Sequence, residues 1–111
     1  MVGTGEAGYY GNGMPAVEAM IKNPFGLALN DCGELLFADF GNQLIRKVSL
    51  QGIISTIAGN VHGFGDDGID AKMAKLNCPS CVCCHNGEIL ITEYAGNRVR
   101  KVNNYNNFWN R

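Results

Sequence analysis

Charge of one sign, proline, histidine and long apolar runs are all scarce in this sequence. Nine Lys plus Arg stand against ten Asp plus Glu, for a formal charge of −1, so no global field draws the chain to nucleic acid or anionic lipid. Such partners would need a local patch. No apolar run approaches membrane-spanning length, and Met1-Val2-Gly3-Thr4-Gly5-Glu6 lacks the basic and apolar regions of a secretory leader. A cytoplasmic chain with no membrane partner is the expectation. The five cysteines, an odd number with four of them between Cys78 and Cys84, do not form a spaced disulfide framework and suit a reducing compartment.

What is present describes a folded chain. Its 111 residues are 46% hydrophobic and 17% charged, too apolar for disorder and long enough for one modest core, a domain or part of one. Fifteen glycines beside three prolines point to many tight turns between short strands.

Self-comparison organises the sequence. Gly13-Met14-Pro15-Ala16 through Asn23-Pro24 matches Gly68-Ile69-Asp70-Ala71 through Cys78-Pro79, 55 positions on. After the loss of one residue, Gly33-Glu34-Leu35-Leu36 matches Gly87-Glu88-Ile89-Leu90, and Ile45-Arg46-Lys47-Val48 matches Val99-Arg100-Lys101-Val102, now 54 positions on. Within the first copy, Phe25 to Leu29, Glu34 to Ala38, Leu44 to Val48 and Ile53 to Ile57 are short apolar or β-branched runs. Asn30-Asp31-Cys32-Gly33, Gly41-Asn42-Gln43 and Gln51-Gly52 separate them with residues that tolerate positive φ. The unit is a four-stranded antiparallel meander. Repeated at a period of roughly 40–55 residues, such meanders make propeller blades, each burying its faces against its neighbours. The fold class expected is all-β, a partial β-propeller of about two blades.

The run Asn23-Pro24-Phe25-Gly26-Leu27-Ala28-Leu29, then Gly33 to Asp39, then Gly41-Asn42-Gln43-Leu44-Ile45-Arg46-Lys47-Val48 resembles the NHL repeat. The Gly-rich stretch from Ala58-Gly59 to Gly68 resembles the family's inter-blade segment. The resemblance spans roughly residues 3 to 102, with two departures: Cys78 replaces Asn23, and Gly96-Asn97 sits one place later than Gly41-Asn42. It divides the chain into a lead segment with the first blade (1–58), a Gly-rich inter-blade loop (59–79), a partial second blade (80–102) and an Asn-rich tail (103–111) expected to be poorly ordered. It also implies a non-enzymatic scaffold for an unidentified protein partner.

Four features carry rival chemistry. Cys78-Pro79-Ser80-Cys81-Val82-Cys83-Cys84-His85 supplies ligand types suited to zinc. In the repeat, however, Cys81, Cys83 and Cys84 align with Gly26, Ala28 and Leu29, and alternation sends Cys83 and Cys84 to opposite faces. Buried structural cysteines are expected, with no metal. Gly65-Asp66-Asp67-Gly68-Ile69-Asp70 could wrap calcium, but Tyr10-Gly11-Asn12-Gly13-Met14-Pro15 fills the same place without a carboxylate, so turn formation suffices. The only imidazoles are His62, in an inter-blade loop, and His85, at a hairpin turn; neither has an evident partner. More distantly the resemblance reaches propeller lyases and lactonases with a channel metal. Nothing at Phe25 to Leu29 or Ser80 to Cys84 looks like their ligand sets, so neither catalytic residues nor a cofactor is expected. Finally, Arg46-Lys47, Arg98 and Arg100-Lys101 on the third strands could offer RNA a basic face, as certain NHL propellers do. Without net positive charge or interleaved aromatics, solvated strand faces are the favoured reading and nucleic acid is not.

The residues given structural roles are Asp39, Arg46, Glu93 and Arg100. A turn centred between Asn42 and Gln43 would set Asp39 directly across from Arg46, and one centred between Gly96 and Asn97 would set Glu93 across from Arg100. Each pair would add about 0.2–1 kcal/mol and fix register.

The second copy has Asn106 to Arg111 where the first has Gly52 to Ile57, with few β-branched residues for an outer strand, while Met1-Val2-Gly3 resembles Ile57-Ala58-Gly59. That phase suggests a fragment of a longer propeller. Otherwise head-to-tail self-association could cover the blade faces, three copies closing a six-bladed ring. For the cysteines, elemental analysis of the purified chain should return no stoichiometric metal. One zinc per chain, with loss of fold on chelation, would contradict the strand register assigned to Cys81 to Cys84.

Overall fold

A computed structural model of the chain describes residues 1–59, 71–72, 74–103 and 108–110. The four runs of the first copy form strands β1 (Pro24–Leu29), β2 (Leu35–Asp39), β3 (Leu44–Val48) and β4 (Ile54–Ala58); the second copy forms β5 (Pro79–His85), β6 (Glu88–Glu93), β7 (Arg98–Val102) and β8 (Phe108–Asn110). Each set makes one antiparallel sheet with its strands in sequence order. These are two consecutive four-stranded blades.

Turn chemistry sets the register. In the β5–β6 hairpin, Asn86 and Gly87 take φ of 50° and 77° between the paired residues His85 and Glu88, as a tight two-residue connection requires. The first copy replaces this with a longer loop, in which the Asn30 side chain accepts hydrogen bonds from the amides of Cys32 and Glu34 at 3.0 and 2.9 Å. The residue lost between the copies is lost here. The β2–β3 and β6–β7 turns, by contrast, have equal length: Gln43 and Asn97 occupy the same left-handed position, with φ of 61° and 54°. Asn97 is thus the counterpart of Gln43, and the shift noted at Gly96-Asn97 changes residue identity without changing the turn.

The other departure, Cys78 for Asn23, also preserves the backbone. Both residues are left-handed, with φ of 50° at Asn23 and 56° at Cys78, a conformation that costs an ordinary side chain about 1–2 kcal/mol. At Cys78 the backbone N–H donates to Gln43 Oε1 at 2.6 Å, which ties the second blade's first residues to the first blade's turn.

Two apolar layers result. Between the sheets lie Leu36, Ala38, Ile45 and Ala58 against Val82, Ile91, Val102 and Leu76, all buried. On the other side of the first sheet, Phe37 and Ile54 pack with Ala16 and Ala19 of the lead segment, joined by Val2, Ile21 and Val48. The two layers are register copies. The Gly3 N–H donates to Ala16 O and the Gly59 N–H donates to Ala71 O, both at 2.9 Å, so the first residues occupy the place that the end of an outer strand occupies in the second repeat.

The tail is more ordered in part than its composition suggests. Phe108–Asn110 pair with Arg100 to Val102 as the fourth strand of the second sheet, three residues long against five in β4. Asn-rich flanks do not prevent pairing where β7 offers an open edge. Residues 104–107 and 111 lie outside the described residues.

The blades meet most closely at their inner strands, where Gly26 of β1 faces Ser80 and Cys81 of β5. A Cβ at Gly26 would lie 2.8 Å from both Cys81 Cα and Ser80 O. Gly26 does not adopt a positive φ, so its role is close approach alone. Gly26→Ala should therefore destabilise the fold by about 1–3 kcal/mol, as overpacking does, read as a lower urea midpoint. A midpoint unchanged within error would show that β1 and β5 do not pack this tightly.

Candidate functional site

The four residues assigned structural roles form two buried clamps. Asp39 ends β2, and its Oδ1 accepts the backbone N–H of Lys22 at 2.7 Å. Its Oδ2 accepts the Asn42 side chain at 3.0 Å and Arg46 Nη1 at 3.3 Å. Arg46 Nη1 also donates to Met20 O at 3.0 Å, and Nη2 to Asn12 Oδ1 at 2.8 Å. The Tyr9 ring covers the guanidinium, 5.1 Å from its centre, a favourable cation–aromatic distance.

The second blade repeats the device. Glu93 Oε2 accepts the N–H of Asn77 at 2.7 Å, and Arg100 Nη1 donates to Lys75 O at 3.2 Å. Lys22 and Asn77 are repeat equivalents, as are Met20 and Lys75. In both copies an acid and an arginine grip one N–H and one C=O of the segment that leads into the blade.

The pairing expected from turn geometry is corrected in detail. The cross-strand partners are Phe37 with Arg46 and Asp39 with Leu44, because Phe40–Asn42 form a 3₁₀ turn that leaves Gln43 as the last loop residue. Asp39 therefore reaches Arg46 diagonally. In the second blade Glu93 directly opposes Arg98; its Oε1 lies 3.0 Å from Arg98 and 3.8 Å from Arg100. One more methylene lets Glu93 serve both. The energetic expectation changes as well, since all four side chains are fully buried. Removing one partner of a buried pair costs about 3–5 kcal/mol, well above the surface-pair figure.

Burial also corrects the reading of the basic strands as solvated faces. Arg46 and Arg100 are wholly inside, turned to the opposite face from Lys47 and Lys101 by strand alternation. Lys47 pairs with Glu34 and Lys101 with Glu88, each at 3.5 Å, and Arg98 pairs with Glu93. The Asn30 side chain, and after it Lys47, hold the Glu34 carboxyl below its ordinary range.

The cysteine expectation fails for most of the cluster. Cys81 and Cys83 are exposed, while Cys78 and Cys84 are half-buried. From Val82 to Cys84 the alternation holds, with Val82 and Cys84 packed into the layer between the sheets and Cys83 exposed, whereas a bulge between Pro79 and Cys81 leaves the Cys81 thiol beside β1, its Sγ 3.1 Å from where a Cβ at Gly26 would lie. Burial pushes the Cys84 thiol above its ordinary value, helped by Cys83 and Asp31. Among the described residues no three His, Cys, Asp or Glu side chains converge as a metal site would require. His85 hydrogen-bonds its neighbour Asn86 at 3.1 Å. His62 and the carboxylates of residues 65–70 lie outside the described residues.

A cleft of about 620 Å³ opens beside the first clamp, lined by Tyr9, Asn12, Gln43, Thr56 and Lys72 among others. The sequence offered no signal for it. Its polar groups are largely engaged with one another: Asn12 donates to the Tyr9 hydroxyl at 2.8 Å and to Thr56 at 3.1 Å.

This architecture is shared with solved propellers, and the chain is of the propeller type. A Bacteroides thetaiotaomicron protein of unknown function superposes with a TM-score of 0.72 at 24% identity, over 90% of this chain and 26% of that one. Virginiamycin B lyase from Staphylococcus aureus, in a catalytically inactive form with Quinupristin, gives 0.56 at 16% identity, over 78% of this chain and 26% of the lyase. Human Teneurin-4 is 32% identical over 86% of the chain, and mouse Teneurin-3 is 44% identical over 45% of it. The chain spans only 4% of the length of the human relative. No family model matches the chain. Among the described residues no helix is long and apolar enough to cross a membrane.

Asp39→Ala and Arg46→Ala should each destabilise the chain by about 3–5 kcal/mol, and the double variant by clearly less than their sum, because the second change removes the charge stranded by the first. The exposed pair Glu34 and Lys47 should couple by at most about 1 kcal/mol. Additive losses at Asp39 and Arg46 in a denaturation cycle would mean that the two do not share a clamp.

Proposed function

We propose that this chain is an NHL-type propeller segment that acts as a non-enzymatic scaffold for a protein partner. The observation that supports it most is where the ionisable groups go: Asp39, Arg46 and Glu93 hold the fold's own backbone and turns, not a cleft. What remains at the surface are turns and strand edges carried on a rigid two-blade frame, the arrangement by which repeat scaffolds bind other proteins. The similarity to the teneurins supports placing the segment within a larger propeller-bearing protein.

Two other readings were open. An RNA face on the third strands loses Arg46 and Arg100 to burial, and its remaining cations face carboxylates. A lyase activity like that of virginiamycin B lyase has the fold likeness in its favour, but the inner-strand stretches Phe25 to Leu29 and Ser80 to Cys84 contain no imidazole or carboxylate.

Fluorescence anisotropy with a labelled single-stranded RNA separates the scaffold from the RNA reading. The scaffold reading predicts no binding beyond the weak non-specific level of about 10⁻⁴–10⁻⁶ M. Tighter binding that falls steeply between about 50 and 200 mM salt, and is lost in Lys47→Ala/Lys101→Ala, would replace it with the RNA face.

A further inference from the structure

We propose that Cys78 and Cys81 are a redox-active dithiol pair that closes to an intramolecular disulfide at the joint between the blades. The run Cys78-Pro79-Ser80-Cys81 has the spacing of two thiols that exchange with each other, and the fold adds what spacing alone does not supply. Neither thiol is used by the clamps.

In a regular strand, residues three apart are separated by about 10 Å and point to opposite faces, out of each other's reach. Here the register shifts: Pro79 pairs with Glu93 and Cys81 with Thr92, so two steps of β5 cover one step of β6. From Cys78 to Cys81 the chain then advances by about two steps, or roughly 6.6 Å, inside the range of about 4.4–6.8 Å between the Cα atoms of a disulfide. Both thiols lie against the first blade. The Cys78 Sγ accepts Gln43 Nε2 at 3.7 Å, and the Cys81 Sγ stands 3.1 Å from the place of a Cβ at Gly26. The first blade has the same bulge, between Phe25 and Leu27, with Asn23 and Gly26 at the two corresponding places. Zinc would need further ligands, which the described residues do not bring together here.

Exposure sets the order of events. Cys81 is exposed and Cys78 half-buried, so a low-molecular-weight disulfide such as oxidised glutathione meets Cys81 first. The Cys81 thiolate attacks one glutathione sulfur; a new S–S bond forms, the reagent's own S–S bond breaks, and one glutathione thiolate leaves. The Cys78 thiolate then attacks the Cys81 Sγ and releases the second glutathione. The two cysteines give up two electrons, one glutathione disulfide is reduced to two thiols, and the two protons pass to the released glutathiones. Closure draws the Cys78 Sγ away from Gln43 and the Cys81 Sγ away from Gly26, so oxidation acts where the blades approach most closely.

Equilibration of the whole chain in a buffer of reduced and oxidised glutathione, followed by alkylation and tandem mass spectrometry, tests this. Of the five thiols, two should be lost together as a Cys78–Cys81 link, while Cys32, Cys83 and Cys84 enter no internal link. Cys78→Asn should leave Cys81 as its glutathione adduct, and Cys81→Gly should leave Cys78 without an internal link. Both replacements put into the second blade the residue that the first carries at that place, so each variant should keep the wild-type circular dichroism spectrum. The folded chain should favour the link over the urea-unfolded chain by about tenfold or more, equivalent to about 30 mV in reduction potential, because the bulge and not the spacing alone brings the sulfurs together. A link through Cys32, Cys83 or Cys84, a stable glutathione adduct at Cys81 in the wild-type chain, or a folded chain no more prone to close than the unfolded one would each overturn the proposal. The scaffold reading stands or falls separately, on RNA binding.

Discussion

The structure depends on a buried carboxylate that accepts a backbone N–H from outside its own sheet. Asp39 does this for Lys22 and Glu93 for Asn77, both at 2.7 Å. A blade has strand hydrogen bonds to define it internally, but the segment leading into it joins no strand and makes only isolated bridges, such as Tyr10 with Met20 and Ala7 with Ile21 in the first repeat. Without the carboxylate the N–H of Lys22 or Asn77 would lose its partner, at about 1–3 kcal/mol if buried. An acid that takes the N–H and an arginine that takes the C=O two residues earlier solve this together. The charge of each satisfies the other, which makes the burial of both tolerable.

From that constraint the arrangement of the blades follows. Fixing residues 20–22 and 75–77 sets where β1 and β5 begin, and hence which faces meet. Leu36, Ala38 and Ile45 can then close on Val82, Ile91 and Val102, and the inner strands approach closely enough that only glycine fits at position 26. The lead segment occupies the equivalent surface of the first blade, through Ala16, Ala19 and Ile21, but leaves Leu27 and Leu29 bare. A propeller segment built this way is defined by contacts between repeats more than within them.

Much of this was legible in the sequence. The repeat spacing, the four strands of the first blade to within about a residue, and the association of Asp39 with Arg46 and Glu93 with Arg100 follow from pattern and turn chemistry. What was not legible required tertiary context. An arginine beside a lysine in mid-strand reads as a solvated pair; that Arg46 points inward depends on Met20 and Asn12, some thirty residues away in sequence, being brought to it. The direct opposition of Asp39 and Arg46 was misplaced because a 3₁₀ turn cannot be told from a hairpin loop of similar composition. The cysteines were expected inside because their repeat positions are apolar, yet burial at a blade face is set by whatever lies against that face, and no composition rule reports this.

The clamp can be observed without perturbing it. Lys22 and Asn77 lie outside every strand, so in an ordinary loop their amides would exchange with solvent quickly, at the low-stability end of the molecule. Native-state hydrogen exchange followed by NMR should instead find both amides protected to the level of core strand amides such as that of Ile45, with the two opening at the free energy of their own blade. Exchange of Lys22 and Asn77 at loop rates, while the strands remain protected, would show that the buried carboxylates do not hold the segments between the blades.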